Sequence, residues 1–147
     1  MSDRIFMGTT KISVNKTVGQ IQGLLAMVGA VSVLIDYDAG QPSAISFKIQ
    51  LNDRFLPFRL PCRWDAIHKI LSERRKRFRA GQKEDLEDQG KRIAWRQILR
   101  WTEAQIALIE TEMVKTEEVF LPYIQLDSTG RTLFEKIQEG NFKQLKE

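Results

Sequence analysis

One cysteine and one histidine, Cys62 and His68, are all that 147 residues hold of these two types. A lone thiol forms no internal disulfide, which fits a reducing compartment. The same scarcity argues against a structural zinc site within one chain, because zinc usually takes four nitrogen or sulfur ligands. Long apolar runs are also absent. The longest nearly uncharged stretch, residues 18–35, is interrupted by Gly19, Gln20, Gln22, Gly23, Gly29 and Ser32, and it passes from helical to strand character midway. A membrane span needs about 20 predominantly apolar residues, so this stretch reads as core. The first 16 residues carry no apolar run after their charges, which excludes a secretory signal. Neither a Walker phosphate loop nor a dinucleotide-binding glycine fingerprint occurs, and no cofactor is expected.

What remains is ordinary for a globular chain. Hydrophobic residues make up 42% and charged residues 29%, which argues against general disorder. This length suits one domain, residues 1–147, with a core large enough to need no covalent staple. The charge is unevenly spread. Residues 1–83 hold 14 Lys+Arg against 6 Asp+Glu, a balance of +8, while residues 84–147 hold 9 against 13, a balance of −4. Such asymmetry points to a basic face that meets an anionic partner, or to attraction between the two halves.

Periodicity predicts an α+β fold. Residues 5–14 alternate loosely as an edge strand. Asn15 or Thr17 caps a helix to about Val28, with Val18, Ile21, Leu24, Leu25 and Val28 at helical spacing and Gly29 at its C-terminus. Residues 31–37 are rich in β-branched side chains, and residues 38–42 form a turn. Residues 44–51 alternate strictly, with Ile45, Phe47, Ile49 and Leu51 on one face. Residues 55–60 make a third strand, in which Pro57 marks an edge or a bulge. A helix then opens at Arg63 or Trp64, points Ile70 to the core and runs to residue 79, where Ala80 and Gly81 break it. A long helix over residues 84–115, with Gly90 as a weak point, and a short one over 132–138 follow, and residues 139–147 form a polar tail. The result is a single domain with a three-stranded antiparallel meander flanked by helices. It comprises a helix-strand-strand-strand-helix unit (17–79) and a helical part (84–138).

The element order of residues 17–79 matches the topology of double-stranded-RNA-binding domains. That family's Gly-Pro-His loop is missing, and its basic helix start is not reproduced at Cys62, Arg63, Trp64 and Asp65. Fold does not carry function, so duplex RNA remains a minor reading.

The sharpest local feature runs from Lys69 to Lys83, with 7 Lys+Arg and one acid, Glu73. Clustered guanidinium and ammonium groups neutralise phosphates and release condensed counterions, the main source of sequence-independent affinity for nucleic acid. Arginine also grips phosphate through paired hydrogen bonds. The expected phosphate contacts are Lys69, Arg74, Arg75, Lys76, Arg77, Arg79 and Lys83, aided by Arg59 and Arg63, with Phe78 placed to stack on a base. The bland alternative is a solvated helix end whose cations complement the helix dipole.

The next helix carries Arg92, Arg96, Arg100, Glu103 and Glu110 on one stripe and is apolar in nearly every other direction. Such a helix is central in a core or shared with another chain. Its arginines read as the wet edge of a core helix in preference to a second phosphate contact. Trp95 and Trp101 read as core or interface anchors. Catalytic readings are weaker. His68 stands alone, and no nucleophile arrangement assembles around it. Cys62 adjoins Arg63, yet a single cysteine after a proline is more often a buried small residue. Asp36 and Asp38 alternate out of a strand, and a solvent-facing strand end is the preferred reading over a shared cation.

The stretches Arg92-Ile-Ala-Trp-Arg, Trp101-Thr-Glu-Ala-Gln-Ile-Ala-Leu-Ile-Glu and Glu118-Val-Phe-Leu-Pro-Tyr, followed by Thr129-Gly-Arg-Thr-Leu, resemble a group of small uncharacterised phage and prophage proteins. Pro57-Phe-Arg-Leu-Pro and Trp64 fit the same pattern. The likeness spans about residues 17–134 and carries no functional residue across. It implies a protein made in the cytoplasm of a bacterial host, from a replication, recombination or anti-defence gene cluster. The expected function is therefore non-enzymatic nucleic-acid binding, with single strands slightly preferred over a read sequence. The alternative is an interaction module, either a homo-oligomer subunit or an inhibitor of a host nucleic-acid-handling factor.

Overall fold

Ser13 supplies the N-cap of the first helix: its extended backbone and its Oγ, accepting from Lys16 N at 3.2 Å, satisfy one free donor of α1, Val14–Met27. The computed structural model describes residues 4–75 and 82–145, apart from the side chains of Gln82 and Lys83. Residues 6–9 form turns and residues 10–13 run irregularly in place of the expected edge strand. Their carbonyls are taken by side chains from a later helix: Gln89 Nε2 donates to the oxygens of Gly8 and Thr10 at 3.1 and 3.0 Å, and Gln97 Nε2 to that of Phe6 at 2.9 Å. Short-range alternation cannot reveal such distant partners.

Gly29, with φ of 94°, closes α1 and turns the chain into the sheet. Three antiparallel strands follow in sequence order: β1, Ala30–Asp38; β2, Gln41–Leu51; and β3, Arg54–Pro61. The tight β1–β2 connection uses Ala39 and Gly40, both at positive φ, which matches the twist of a two-residue hairpin. Central β2 sets the register. Phe47 lies between Val33 and Phe58, and Ile45 between Ile35 and Leu60, so the alternating apolar set faces one side. Pro57 lies in β3, paired with Lys48, and its carbonyl accepts from Gln125 N at 2.8 Å on the far side. A short hairpin continues the sheet there through bridges Phe58↔Ile124 and Gln125↔Thr132.

Helices cover the apolar face. After β3 comes α2, Trp64–Arg74, and then α3, Gln82–Glu110. The sequence pattern extends α2 to residue 79, but the helix ends at Arg74 and Arg75 is extended. Ile70 is 41% exposed and does not point to the core; Ile67 and Leu71 are the half-buried positions. At its other end α3 stops at Glu110, short of residue 115, because Glu112 takes a φ of 63°. Two short helices complete the chain: α4, Thr116–Phe120, which a single 3-10 turn extends through Pro122, and α5, Leu133–Glu139, capped by Thr132 and Glu135.

The long helix is the centre of the helical layer. Ile93, Trp95, Leu99 and Ile106 are buried along it. Both α1 and α2 pack on it. Gly90 is buried where α2 crosses, and a Cβ there would lie 3.3 Å from the backbone nitrogen of His68. This glycine is a crossing point rather than a weak point. Around β2, Phe47 stacks on Phe58 at 5.3 Å and meets Phe120 edge-on at 5.2 Å. The likeness to double-stranded-RNA-binding domains thus stops at element order: α2 rests on α3 and buries none of its own residues fully.

Candidate nucleic-acid interface

The described part of the basic segment, Lys69 to Arg75, lies on α2 and its C-cap. Arg63 is exposed at the N-cap, Lys69 is exposed midway, and Arg74 and Arg75 are exposed where the helix ends. The helix has 11 residues, so Arg63 and Arg74 stand roughly 16 Å apart along the axis. That span matches about five phosphates of one duplex strand. Among the described residues, Arg63, Lys69 and Arg75 enter no ion pair. Lys76, Arg77, Phe78 and Arg79 lie outside the described residues, as does the side chain of Lys83.

Two cations that local sequence did not single out, Arg4 and Lys91, join this surface. Arg4 and Arg74 together line an open concavity of about 510 Å³ with Ile5, Met7, Thr9 and Leu71. Lys91 Nζ sits 4.6 Å from the ring centroid of Trp64, a cation–π contact at the start of α2. Neither is legible from spacing, because both contacts join distant parts of the chain. Beside Arg63, a second groove of about 400 Å³ is walled by Ile67, Ile98, Trp101 and Tyr123. Trp101 is half-buried and packs edge-on against Phe120 and Tyr123, each at 5.8 Å.

Comparison with protein-family models, curated proteins and solved structures gives no match.

Arg59 does not belong to the cluster. The β alternation places it with Ser46 on the sheet face opposite the helices, where its Nε lies 3.3 Å from Asp36 Oδ2. Proximity in sequence to Arg63 therefore misleads, since one sheet separates the two surfaces. The same pair occupies Asp36, and no group of three metal-ligating side chains occurs among the described residues. Trp95 is 0% exposed and belongs to the core, not to an interface between chains. The arginine stripe of α3 is divided. Arg92 Nη2 donates to Gln89 Oε1 at 2.6 Å, and Arg100 Nη1 meets Glu103 Oε1 at 2.7 Å. Arg96 departs from the wet-edge reading: it is 3% exposed and donates to Gln20 Oε1 at 2.6 Å.

His68 Nε2 lies 3.5 Å from Ser72 Oγ, its neighbour one turn along α2. No described group orients the other ring nitrogen, so a nucleophile–base–orienter set is not assembled there. Cys62 is buried, and that burial pushes its thiol up to about 12, against the lowering effect of the Trp64 backbone N–H and of Lys91. It is a packed thiol, not a nucleophile at neutral pH.

Proposed function

We propose that this chain is a non-enzymatic nucleic-acid-binding protein that contacts phosphates through the segment from Lys69 to Lys83 and the cations beside it. The observation that carries this reading is the run of 7 Lys+Arg with one acid, adjoining a surface helix whose Arg63, Lys69 and Arg75 have no acidic partner. Arg4 and Arg74 extend the same positive surface. The groove walled by Trp101 and Tyr123 beside Arg63 favours single strands, because an unpaired base can stack where a duplex cannot enter. The resemblance to phage proteins supports the same partner class and a place in the cytoplasm of a bacterial host. No described helix is long and apolar enough to cross a membrane.

The test is replacement of Arg74, Arg75, Lys76 and Arg77 by Ala, followed by circular dichroism and binding to labelled oligonucleotides. Loss of binding in a folded variant supports the assignment. A folded variant that binds as the parent does overturns it.

A further inference from the structure

Ile93, Trp95, Leu99 and Ile106 of α3 are buried within the chain, and β1 keeps an apolar surplus of its own. β1 is the edge strand of the sheet. Among the described residues, no backbone hydrogen bond reaches its free side. Val31, Leu34 and Tyr37 are 56, 63 and 64% exposed. Such edges are usually blunted by charged side chains, proline, bulges or a covering element, and β1 has bulges and aspartates only outside residues 32–35. The sequence of β1, AVSVLIDYD, contains no lysine, arginine or proline. Its register with β2 is irregular at two places, between Ala30 and Ser32 and between Asp36 and Tyr37. These flank a regular stretch, residues 32–36, centred on Leu34.

That stretch is complementary to itself. An antiparallel pairing about Leu34 sets Leu34 opposite its own copy and Val33 opposite Ile35 on the helical side. It sets Ser32 opposite Asp36 on the other. Asp36 is already neutralised by Arg59, and Asp38 falls opposite Ala30, so no like charges oppose each other.

We infer that two copies of this chain pair through their β1 edges about a two-fold axis at Leu34, forming one continuous six-stranded antiparallel sheet. The interface is isologous and closed. Both helical layers then lie on one side of the sheet, so the dimer presents its two basic segments to the same ligand. The inference does not depend on the nucleic-acid reading, since the dimer is a property of the protein alone.

The experiment uses nuclease-treated full-length protein in sedimentation velocity, together with Leu34→Lys, Leu34→Cys and Phe55→Cys. Phe55 is 57% exposed on β3, away from the axis. Facing cysteines on paired strands fall within disulfide reach, a Cα separation of about 4.4–6.8 Å. The parent protein is expected to sediment as a dimer in the micromolar range, and Leu34→Lys as a folded monomer. Oxidation is expected to cross-link Leu34→Cys and to leave Phe55→Cys monomeric. A parent that is monomeric throughout the range overturns the inference. So does a dimer that survives Leu34→Lys, or equal cross-linking of the two cysteine variants.

Discussion

Arg96 Nη1 donates to Gln20 Oε1 at 2.6 Å and thereby ties α3 to α1. The guanidinium is buried, whereas Gln20 is at the surface. Thr17 Oγ1 is its other partner, at 3.5 Å. A hydrogen bond to a buried cation is worth more than a neutral one, because the alternative is an uncompensated charge. Gln20→Ala is expected to lower stability by about 1.5 kcal/mol. Gln20→Glu supplies a carboxylate to the same guanidinium and is expected to raise stability. Denaturant melts of the two variants check the sign. Equal stability for both would show that Arg96 is held by packing alone.

Gly90 carries a prediction of opposite sense to helix propensity. Replacing a helical glycine with alanine normally stabilises by about 1 kcal/mol. Here the added methyl meets the backbone of α2 at His68, 3.3 Å away. Backbone does not yield as a flexible side chain does. Gly90→Ala is therefore expected to be destabilising, by about 1–3 kcal/mol. A lower thermal midpoint for this variant confirms the crossing, and a raised one contradicts it.

Cys62 gives a pH dependence. Burial raises its thiol from the usual 9.0 to about 12. The unfolded chain releases this proton from about pH 9, while the folded chain holds it to about pH 12. The stability from keeping the thiol neutral is fully present below pH 9 and is lost as pH rises toward 12. The stability difference between the parent and Cys62→Ala is expected to be flat below pH 9 and to shift against the parent above it. A thiol reagent at neutral pH should label the parent only as fast as it opens.

Arg59→Ala separates the two faces of the sheet. The Arg59–Asp36 pair is partly exposed, so its loss is expected to cost at most about 1 kcal/mol. Affinity for oligonucleotides should not change, since Arg59 lies across the sheet from α2. A loss of affinity equal to that of Arg74→Ala would extend the binding surface to the sheet face.

The sheet was legible because its signal is local. The alternation of Ile45, Phe47 and Ile49 appears in the register against Val33, Ile35, Phe58 and Leu60. The α3 core was legible from its apolar circumference. What escaped depends on distant contacts. Nothing around Arg96 announces that Gln20 will accept from it, and nothing near Gly8 announces Gln89. Strand parity, available in the sequence, turns Arg59 away from the face of Phe58 and Leu60 that the helices cover, yet nearness in the chain to Arg63 suggested one cluster. Helical periodicity also overran Arg74, because cations at a helix end continue the pattern without adding a buried position.

The basic segment is tested most directly by fluorescence anisotropy of labelled single-stranded DNA, duplex DNA and RNA across a series of salt concentrations. If about five phosphates are neutralised, the logarithm of the binding constant should fall with the logarithm of salt at a slope of about −3 to −5, steeper for duplex than for single strands. Binding with that slope, strongest for a single-stranded probe, is the expected result. Absence of binding at low salt, or affinity that does not change with salt, would contradict phosphate recognition by this surface.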